Sequence, residues 1–414
     1  MKQPMHSHTH AIRSFCCANP ARFAVQSLLG LPCNARSFCR AACSRAFAMG
    51  PFGSRIKKEN FRSSGVPVLR GKNLGGNRFD DSDVVFVDED KAEELAASIA
   101  RPGDLVFTHR GTLGQVALVP RRPRYPLYLV SQSQMKATID EERVLPEYVY
   151  YWFCSPEGQH ALLRNTSQTG VPAISQPLTS LQAIAIPVPP LSEQRAIAEV
   201  LGALDDKIEA NNRQVAVVWS IVRSLYVSAT LDAALAPLGE LVQLAYGKGL
   251  PASKRVGGSI PVFGSGGIAG WHDQPLVPGP GVVVGRKGTI GSVYWVDTDF
   301  FPIDTTFYAV PEDGVPAIVA YLTLDGIDFS EMNSDSAVPG LNRNAALSKA
   351  VPLLRKAAMD HLAEVTQPLV TLAKCLAAES GTLQEIRDAL LPKLMSGELR
   401  VANNDTKTFS EVGS

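Results

Sequence analysis

Two stretches of the chain place apolar residues at alternating steps of four and three. In the first, Ile197, Leu201, Leu204, Ile208, Asn211, Val215, Val218, Val222 and Leu225 keep this spacing without a slip. In the second, Leu362, Val365, Leu369, Leu372, Leu376, Glu379, Leu383, Ile386 and Leu390 do the same. Sustained heptads predict helices that pair along a coiled-coil seam. At about 1.5 Å per residue, each seam is roughly 40 Å long. Each carries one polar position near its middle, Asn211 and Glu379. A polar seam residue lowers stability but penalises slipped registers, and antiparallel pairing would bring these two positions near one another. The alternative is that each lies at the wet edge of a wide helix face. Pro368, inside the second heptad run, predicts a kink or a break.

The other segments read differently. Short apolar runs punctuated by glycine and proline predict strands and hairpins. His109-Arg110-Gly111-Thr112-Leu113-Gly114-Gln115-Val116 is echoed by Arg286-Lys287-Gly288-Thr289-Ile290-Gly291-Ser292-Val293, each after one apolar run and before another. Upstream, GVPVLRG (65–71) is matched by SIPVFGSGG (259–267). Downstream, TGVPAISQPLTSLQAIAIPVPP (169–190) is matched by SAVPGLNRNAALSKAVPLL (336–354). Three blocks in the same order imply a duplicated domain. The predicted fold is α+β, with two β-rich domains separated by two long antiparallel coiled-coil helices in a pseudo-two-fold internal repeat. The boundaries are an atypical leader at 1–46, a first β domain at 47–190, a helix at 191–234, a second β domain at 235–355, a helix at 356–400 and a tail at 401–414.

A length of 414 residues suits two or three domains, and 45% hydrophobic residues suffice for packed cores. Forty basic and forty acidic residues cancel, so the distribution of charge is more informative than its sum. No Asp or Glu precedes Glu59, and five of the seven cysteines fall at or before Cys43. The body of the chain therefore lacks a disulfide framework, which points to a reducing cytoplasm. The apolar run 23–31 is interrupted by Gln26, Ser27 and Gly30, unlike a secretory signal. No segment reaches the roughly 18–20 apolar residues of a membrane span. HSHTH (6–10) and the nearby cysteines match no compact zinc spacing. The Arg-rich leader also resembles a transit peptide, but reads best as a poorly ordered or mis-started N-terminus.

Catalytic constellations are weak. There is no GxxxxGK[ST], HExxH or GxSxG. Gly285, Gly288 and Gly291 superficially suggest a nucleotide loop, yet strand-like VYWV follows them and favours a hairpin. Asp83, Glu89 and Lys91 form a nuclease-like trio by residue type, or simply a polar surface turn; His160, His272 and His361 are scattered singly. The expected chain is a binding protein with no active site. Candidate DNA contacts are Lys57, Lys58, Arg70, Lys72, Arg110 and Gln168 in the first domain. In the second they are Lys248, Lys254, Arg255, Arg286, Lys287, Asn342 and Arg343. Loop cations suit phosphates, while Arg, Asn and Gln suit base edges; a solvated polar loop is the alternative for any one of them.

PLSEQRAIAEVLGALDDKIEANNRQ (190–214) closely resembles the central conserved region of specificity (S) subunits of Type I restriction-modification enzymes. MGPFGSRIKKENFRSSGVPVLRGKNLG (49–75), GTLGQVALVP and ISQPLTSLQAIAIPVPPLSEQ resemble that family's first target-recognition domain, and TLQEIRDALLPKLMSGEL (382–399) its C-terminal conserved region. The resemblance implies that each β domain reads one half of a bipartite double-stranded DNA site, with the paired helices as the ruler between them. It implies docking of methyltransferase (M) and restriction (R) subunits. S-adenosylmethionine, ATP and Mg would be held by those partners, with no cofactor in this chain. One departure stands out. LAYG in the second domain aligns with Phe47-Ala48-Met49-Gly50, but the residues before Phe47 are rich in Cys and Arg. This departure points to a leader that arises from a frameshift or a wrong start, in which case the first domain is expected to lack its opening strand and to fold poorly. A degenerate or decoy S-like protein, which binds the methyltransferase without productive DNA recognition, is the competing expectation.

Overall fold

The short apolar runs become strands, and the heptad runs become long helices. A computed structural model of the chain describes residues 35–37, 42–75, 79–167, 170–329, 332 and 340–401. It resolves into two compact units, residues 1–150 with 160–194, and residues 151–159 with 195–414.

The first unit contains β1 (Ala35–Ser37), β2 (Ala42–Met49), β3 (Val66–Leu69), β4 (Val85–Val87), β5 (Ile99–Ala100), β6 (Leu105–Thr108), β7 (Val116–Leu118), β8 (Tyr128–Val130), β9 (Gln134–Ile139), β10 (Thr166–Ser167), β11 (Ala173–Ile174) and β12 (Ala185–Pro187). The helices in or entering it are α1 (Glu89–Glu94), α2 (Pro146–Cys154), α3 (Pro156–Leu163), α4 (Pro177–Gln182) and the start of α5 (Leu191–Thr230). One four-stranded sheet has the order β2-β9-β6-β7 and another β4-β3-β8-β5, while β1 pairs with β12 and β10 with β11. Strands β3 and β8 are buried on both faces. Val68 and Leu129 enter one apolar cluster, and their neighbours Leu69, Tyr128 and Val130 enter another. This is the alternation of side chains across a pleated sheet.

The expectation of a missing opening strand is corrected by β2. It pairs antiparallel with β9, Phe47 opposite Ala137 and Met49 opposite Met135, with an irregularity between Ala42 and Phe47. Its Cys- and Arg-bearing sequence does not alternate like a half-buried strand, which is why the pattern missed it. At its end the Gly50 N–H donates to the Gln134 carbonyl at 2.9 Å. A Cβ on Gly50 would lie 1.8 Å from the Ser131 carbonyl oxygen, so only glycine allows this close approach.

The second unit contains β13 (Ala234–Pro237), β14 (Val242–Tyr246), β15 (Ile260–Gly264), β16 (Gly267–His272), β17 (Gly281–Gly285), β18 (Val293–Val296), β19 (Phe301–Pro302), β20 (Thr306–Pro311) and β21 (Ala350–Leu353). Its helices are most of α5, α6 (Ala317–Asp325), α7 (Arg343–Leu347) and α8 (Lys356–Ser396). The sheet orders are β14-β20-β17-β18 and β16-β15-β19, and β13 pairs with β21. Strand β14 ends as β2 does. The Gly247 N–H donates to the Thr306 carbonyl at 3.1 Å, and a Cβ there would fall 2.2 Å from the Ile303 carbonyl oxygen. The run Gly285–Gly291 is a turn between β17 and β18, with φ of 82° at Gly288 and 75° at Gly291.

Helices α5 and α8 span 40 and 41 residues, about 60 Å each. They run antiparallel: Asp205 meets Arg387, and farther along Asn211 meets Glu379. On α5 the predicted seam residues Ile197, Leu201, Ile208, Asn211, Val218 and Val222 are buried and Leu204 and Val215 half-buried; beyond them the buried position is Tyr226 rather than Leu225. On α8 half of the predicted seam is displaced. Leu362 and Leu376 are buried, but Val365 is 41% exposed, Leu372 47% and Ile386 43%. Their places belong to the next residue in each case: Thr366, Ala373 and Arg387, continued by Ser380, are buried at strict seven-residue spacing. Small and hydrogen-bonding side chains hold this line, so a search for apolar residues selects the wrong neighbour. Helix α8 continues through Pro368, whose ring is exposed. Pro368 withholds the N–H that the Glu364 carbonyl would accept, and both residues lie on the exposed side of the helix.

Within the second unit, Val218, Val222 and Tyr226 of α5, Met359, Leu362 and Val370 of α8, and Val319 and Leu322 of α6 share one apolar cluster with Val282 and Phe307 of the sheet. Arg223 donates to Asp325 at 2.6 Å, and Trp219 packs edge-on to Tyr321 at 5.2 Å. These contacts fix the second β domain on the helix pair.

Candidate nucleic-acid interface

Where β6 ends, Thr108, His109 and Arg110 lead into a turn with positive φ at Gly111 (98°) and Gly114 (88°). Beside it β3 delivers Arg70, whose backbone N–H donates to the Asn73 side chain at 3.0 Å. The strand β9 starts with Gln134. Together these ends enclose a concavity of about 420 Å³ lined by Arg70, Lys72, Arg110, Gln115, Gln132 and Gln134 over an apolar wall of Ile56, Phe61 and Val68. A directed chain of hydrogen bonds crosses its floor. The Ser131 hydroxyl donates to Gln134 Oε1, Gln134 Nε2 donates to Thr108 Oγ1 at 3.3 Å, and Thr108 donates to Gln115 Oε1 at 2.8 Å.

The charges in this concavity are not equivalent. Lys72 is ion-paired with Asp83, and its hydrogen bond holds that carboxyl below the usual carboxylate range. Arg110 is exposed. Arg70 is half-buried, and its Nε is buried without a hydrogen-bond partner. His109 contributes no cation at neutral pH. Burial pushes its imidazole below the ordinary value, and its Nε2 lies 3.1 Å from the Gln132 carbonyl oxygen.

The second β domain gathers its cations around a tyrosine. Tyr246, at the end of β14, is 53% exposed. The Arg286 guanidinium lies 5.3 Å from its ring centre and that of Arg343 5.5 Å, with Phe307 5.8 Å from Arg286. These are cation–π distances. Arg286 also donates to the Asp304 carbonyl at 2.5 Å, which orients the guanidinium.

The structure sorts the remaining candidates. Lys58, Lys248, Lys254 and Lys287 are exposed, and Lys57 is exposed beside Glu59 at 3.4 Å. Arg255 is committed to the fold, donating to the Leu250 carbonyl at 3.2 Å and the Ala269 carbonyl at 2.5 Å. Asn342 caps α7, its Oδ1 accepting from the Asn344 and Ala345 N–H groups. Both residues hold backbone in place, a role that residue type alone does not distinguish from base contact. Gln168 and HSHTH lie outside the described residues. Thr108, Gln115, Gln132, Gln134 and Tyr246 were not singled out from the sequence, although the polar run Ser131-Gln132-Ser133-Gln134 before an apolar strand was a usable signal.

Asp83 and Lys91 are separately paired, with Lys72 and Glu94. Among the described residues no group of three or more His, Cys, Asp or Glu side chains is placed to hold a metal ion. No helix among them is long and apolar enough to cross a membrane.

The polar seam positions do meet. Asn211 Nδ2 donates to Glu379 Oε2 at 2.8 Å, and Lys207 lies 3.2 Å from the same carboxylate. Farther along, Arg387 donates to Asp205 at 2.9 Å, and the Tyr151 hydroxyl donates to the other Asp205 oxygen at 2.9 Å. The PLSEQ approach to α5 has its own anchor in the first unit. Gln194 is fully buried, accepting from the Leu145 N–H at 2.8 Å and donating to the Pro189 carbonyl at 2.8 Å.

Residues 52–218 match the family described as the Type I restriction modification DNA specificity domain. The putative type I restriction enzyme MjaX specificity subunit of Methanocaldococcus jannaschii is 26% identical over 164 residues, 39% of this chain and 38% of that protein. The type I restriction enzyme EcoR124I/EcoR124II specificity subunit of Escherichia coli is 25% identical over 152 residues, 37% of this chain and 36% of that one. The match thus spans well under half the length of these relatives. A crystal structure of the Type-I restriction-modification system S subunit from M. genitalium is similar in fold, with a TM-score of 0.55 and 19% identity, covering 88% of this chain and 98% of that one.

Proposed function

We propose that this chain, which carries a Type I restriction modification DNA specificity domain over residues 52–218, acts as a non-catalytic specificity subunit that reads a bipartite double-stranded DNA site. Each β domain reads one half-site, and α5 with α8 sets the unspecified spacer between them. The observation that carries this reading is the recurrence of one strand order in both units, β2-β9-β6-β7 and β14-β20-β17-β18, each with a pair of arginines: Arg110 just past β6 with Arg70 just past β3, then Arg286 just past β17 with Arg343 at the start of α7. A reader of half-sites needs two such surfaces at a set distance.

The chemistry belongs to partners. Methyltransferase subunits, carrying S-adenosylmethionine, would dock on the helix pair, and restriction subunits using ATP and Mg would complete the complex in the cytoplasm. Supporting a docked partner, the helix pair leaves Val217 (58% exposed), Ile221, Val365 and Leu372 uncovered. Counted from the buried seam, Val217 and Ile221 sit at c and g of α5, and Val365 and Leu372 at g of α8, positions that flank one side of an antiparallel pair. The decoy reading has no observation in its favour.

The test is a genome-wide map of methylated adenines in cells expressing the chain with its neighbouring methyltransferase. A two-part motif with a fixed gap is expected, and lengthening both helices by one heptad should widen the gap. A motif without a second half, or a gap indifferent to helix length, refutes the reading.

A further inference from the structure

The hydrogen-bond chain on the floor of the first-domain concavity has a direction. Ser131 and Thr108 each have one hydroxyl proton. Ser131 spends its proton on Gln134 Oε1 and Thr108 on Gln115 Oε1. Gln115 is therefore held with its carbonyl oxygen inward and its amide N–H₂ turned away from Thr108. Gly71, the residue after Arg70, packs against this chain: a Cβ there would lie 3.5 Å from both Gln115 Oε1 and Gln134 Nε2. Arg70 contributes the buried Nε that has no partner within the protein. A buried unpaired donor costs free energy until a ligand satisfies it.

We propose that Arg70 and Gln115 are specificity-determining residues that read the major-groove edge of a guanine in the first half-site; this rests on the reading of the first β domain as a half-site reader. Both side chains present donors. Guanine shows two adjacent acceptors, O6 and N7, in the major groove, whereas adenine shows an acceptor beside a donor. Arginine's planar fork matches the acceptor pair. A phosphate would also accept from donors, but the wall of Ile56, Phe61 and Val68 would strip water from a charged group without compensation. A planar base loses little against such a wall.

The experiment selects bound duplexes from a randomised DNA pool with the full chain, alone and with its co-expressed methyltransferase, and compares Arg70→Lys and Gln115→Glu with wild type. The wild type is expected to retain a guanine at one first-half position. Arg70→Lys keeps the charge but loses the fork, so preference for that guanine falls roughly tenfold or more while the second half-site is unchanged. Gln115→Glu replaces donors with acceptors, so the preference moves toward cytosine, whose N4 amino group is a donor. If Arg70→Lys abolishes the whole first half-site, Gln115→Glu decides. Retention of guanine by both variants overturns the proposal. So does uniform weakening on every sequence with a shallower salt dependence, which marks a phosphate contact. A wild type with no sequence preference instead overturns the half-site reading itself.

Discussion

Arg387→Met tests whether the polar pair inside the helix seam is a desolvated interaction or a surface one. The side chains of Arg387 and Asp205 are 9% and 3% exposed, and the N–O distance is 2.9 Å. Removing the cation leaves the Asp205 carboxylate buried beside the Tyr151 hydroxyl, which donates to its other oxygen. Breaking a buried pair from one side costs about 3–5 kcal/mol. The lower end applies here, because Arg387 also touches Asp388, whose side chain is 65% exposed, and so retains one solvated edge. A loss of about 3 kcal/mol corresponds to roughly 150-fold in the local opening equilibrium. Hydrogen exchange of α8 amides around residue 387 in the full chain reads that change directly, without assuming that a multi-domain protein unfolds in one step. The double variant Asp205→Leu with Arg387→Met removes both charges and is expected to recover most of the protection. An acceleration below about fivefold in Arg387→Met, or a double variant as unstable as the single ones combined, would refute the buried-pair account.

Asn211→Leu removes a fully buried amide whose Oδ1 has no partner; the helix pair should gain about 1 kcal/mol but accept shifted registers, detected by disulfide trapping between cysteines placed one heptad apart. Unchanged register would assign that role to Arg387 alone. Gly50→Ala should cost about 1–3 kcal/mol through the clash with the Ser131 carbonyl, seen as a lower urea midpoint for the first domain; a neutral result would mean β2 does not end as described. The His109 imidazole is held below its ordinary value of 6.5, so the unfolded chain binds a proton that the folded chain resists. The resulting stability is present above about pH 6.5 and is lost as pH falls below it. His109→Gln should flatten that part of the pH profile of urea unfolding.

The helices were readable because leucine and valine mark a seam by size and hydropathy. The line Thr366, Ala373, Ser380, Arg387 was not, since its burial follows from close approach and hydrogen bonding, neither of which a hydropathy pattern registers. The repeated turns at Gly111 and Gly288 were legible through glycine, the one residue whose backbone preference is visible in its name. Strand β2 escaped because pairing with β9 overrides a poor local signal. The cations were found, but their duties were not. Arg255 and Asn342 hold backbone, whereas the glutamines that floor the first concavity lie in a stretch where polar residues look like ordinary loop.

Each β domain begins and ends with hydrogen-bonded neighbours: β1 with β12, and β13 with β21. The chain thus enters and leaves each domain through adjacent strands of a two-stranded clasp. For inheritance this makes a domain a cassette. A recombination event at the two sides of a clasp exchanges everything between them in one step, while the helix that follows each clasp, α5 or α8, keeps the same strand pair to start from.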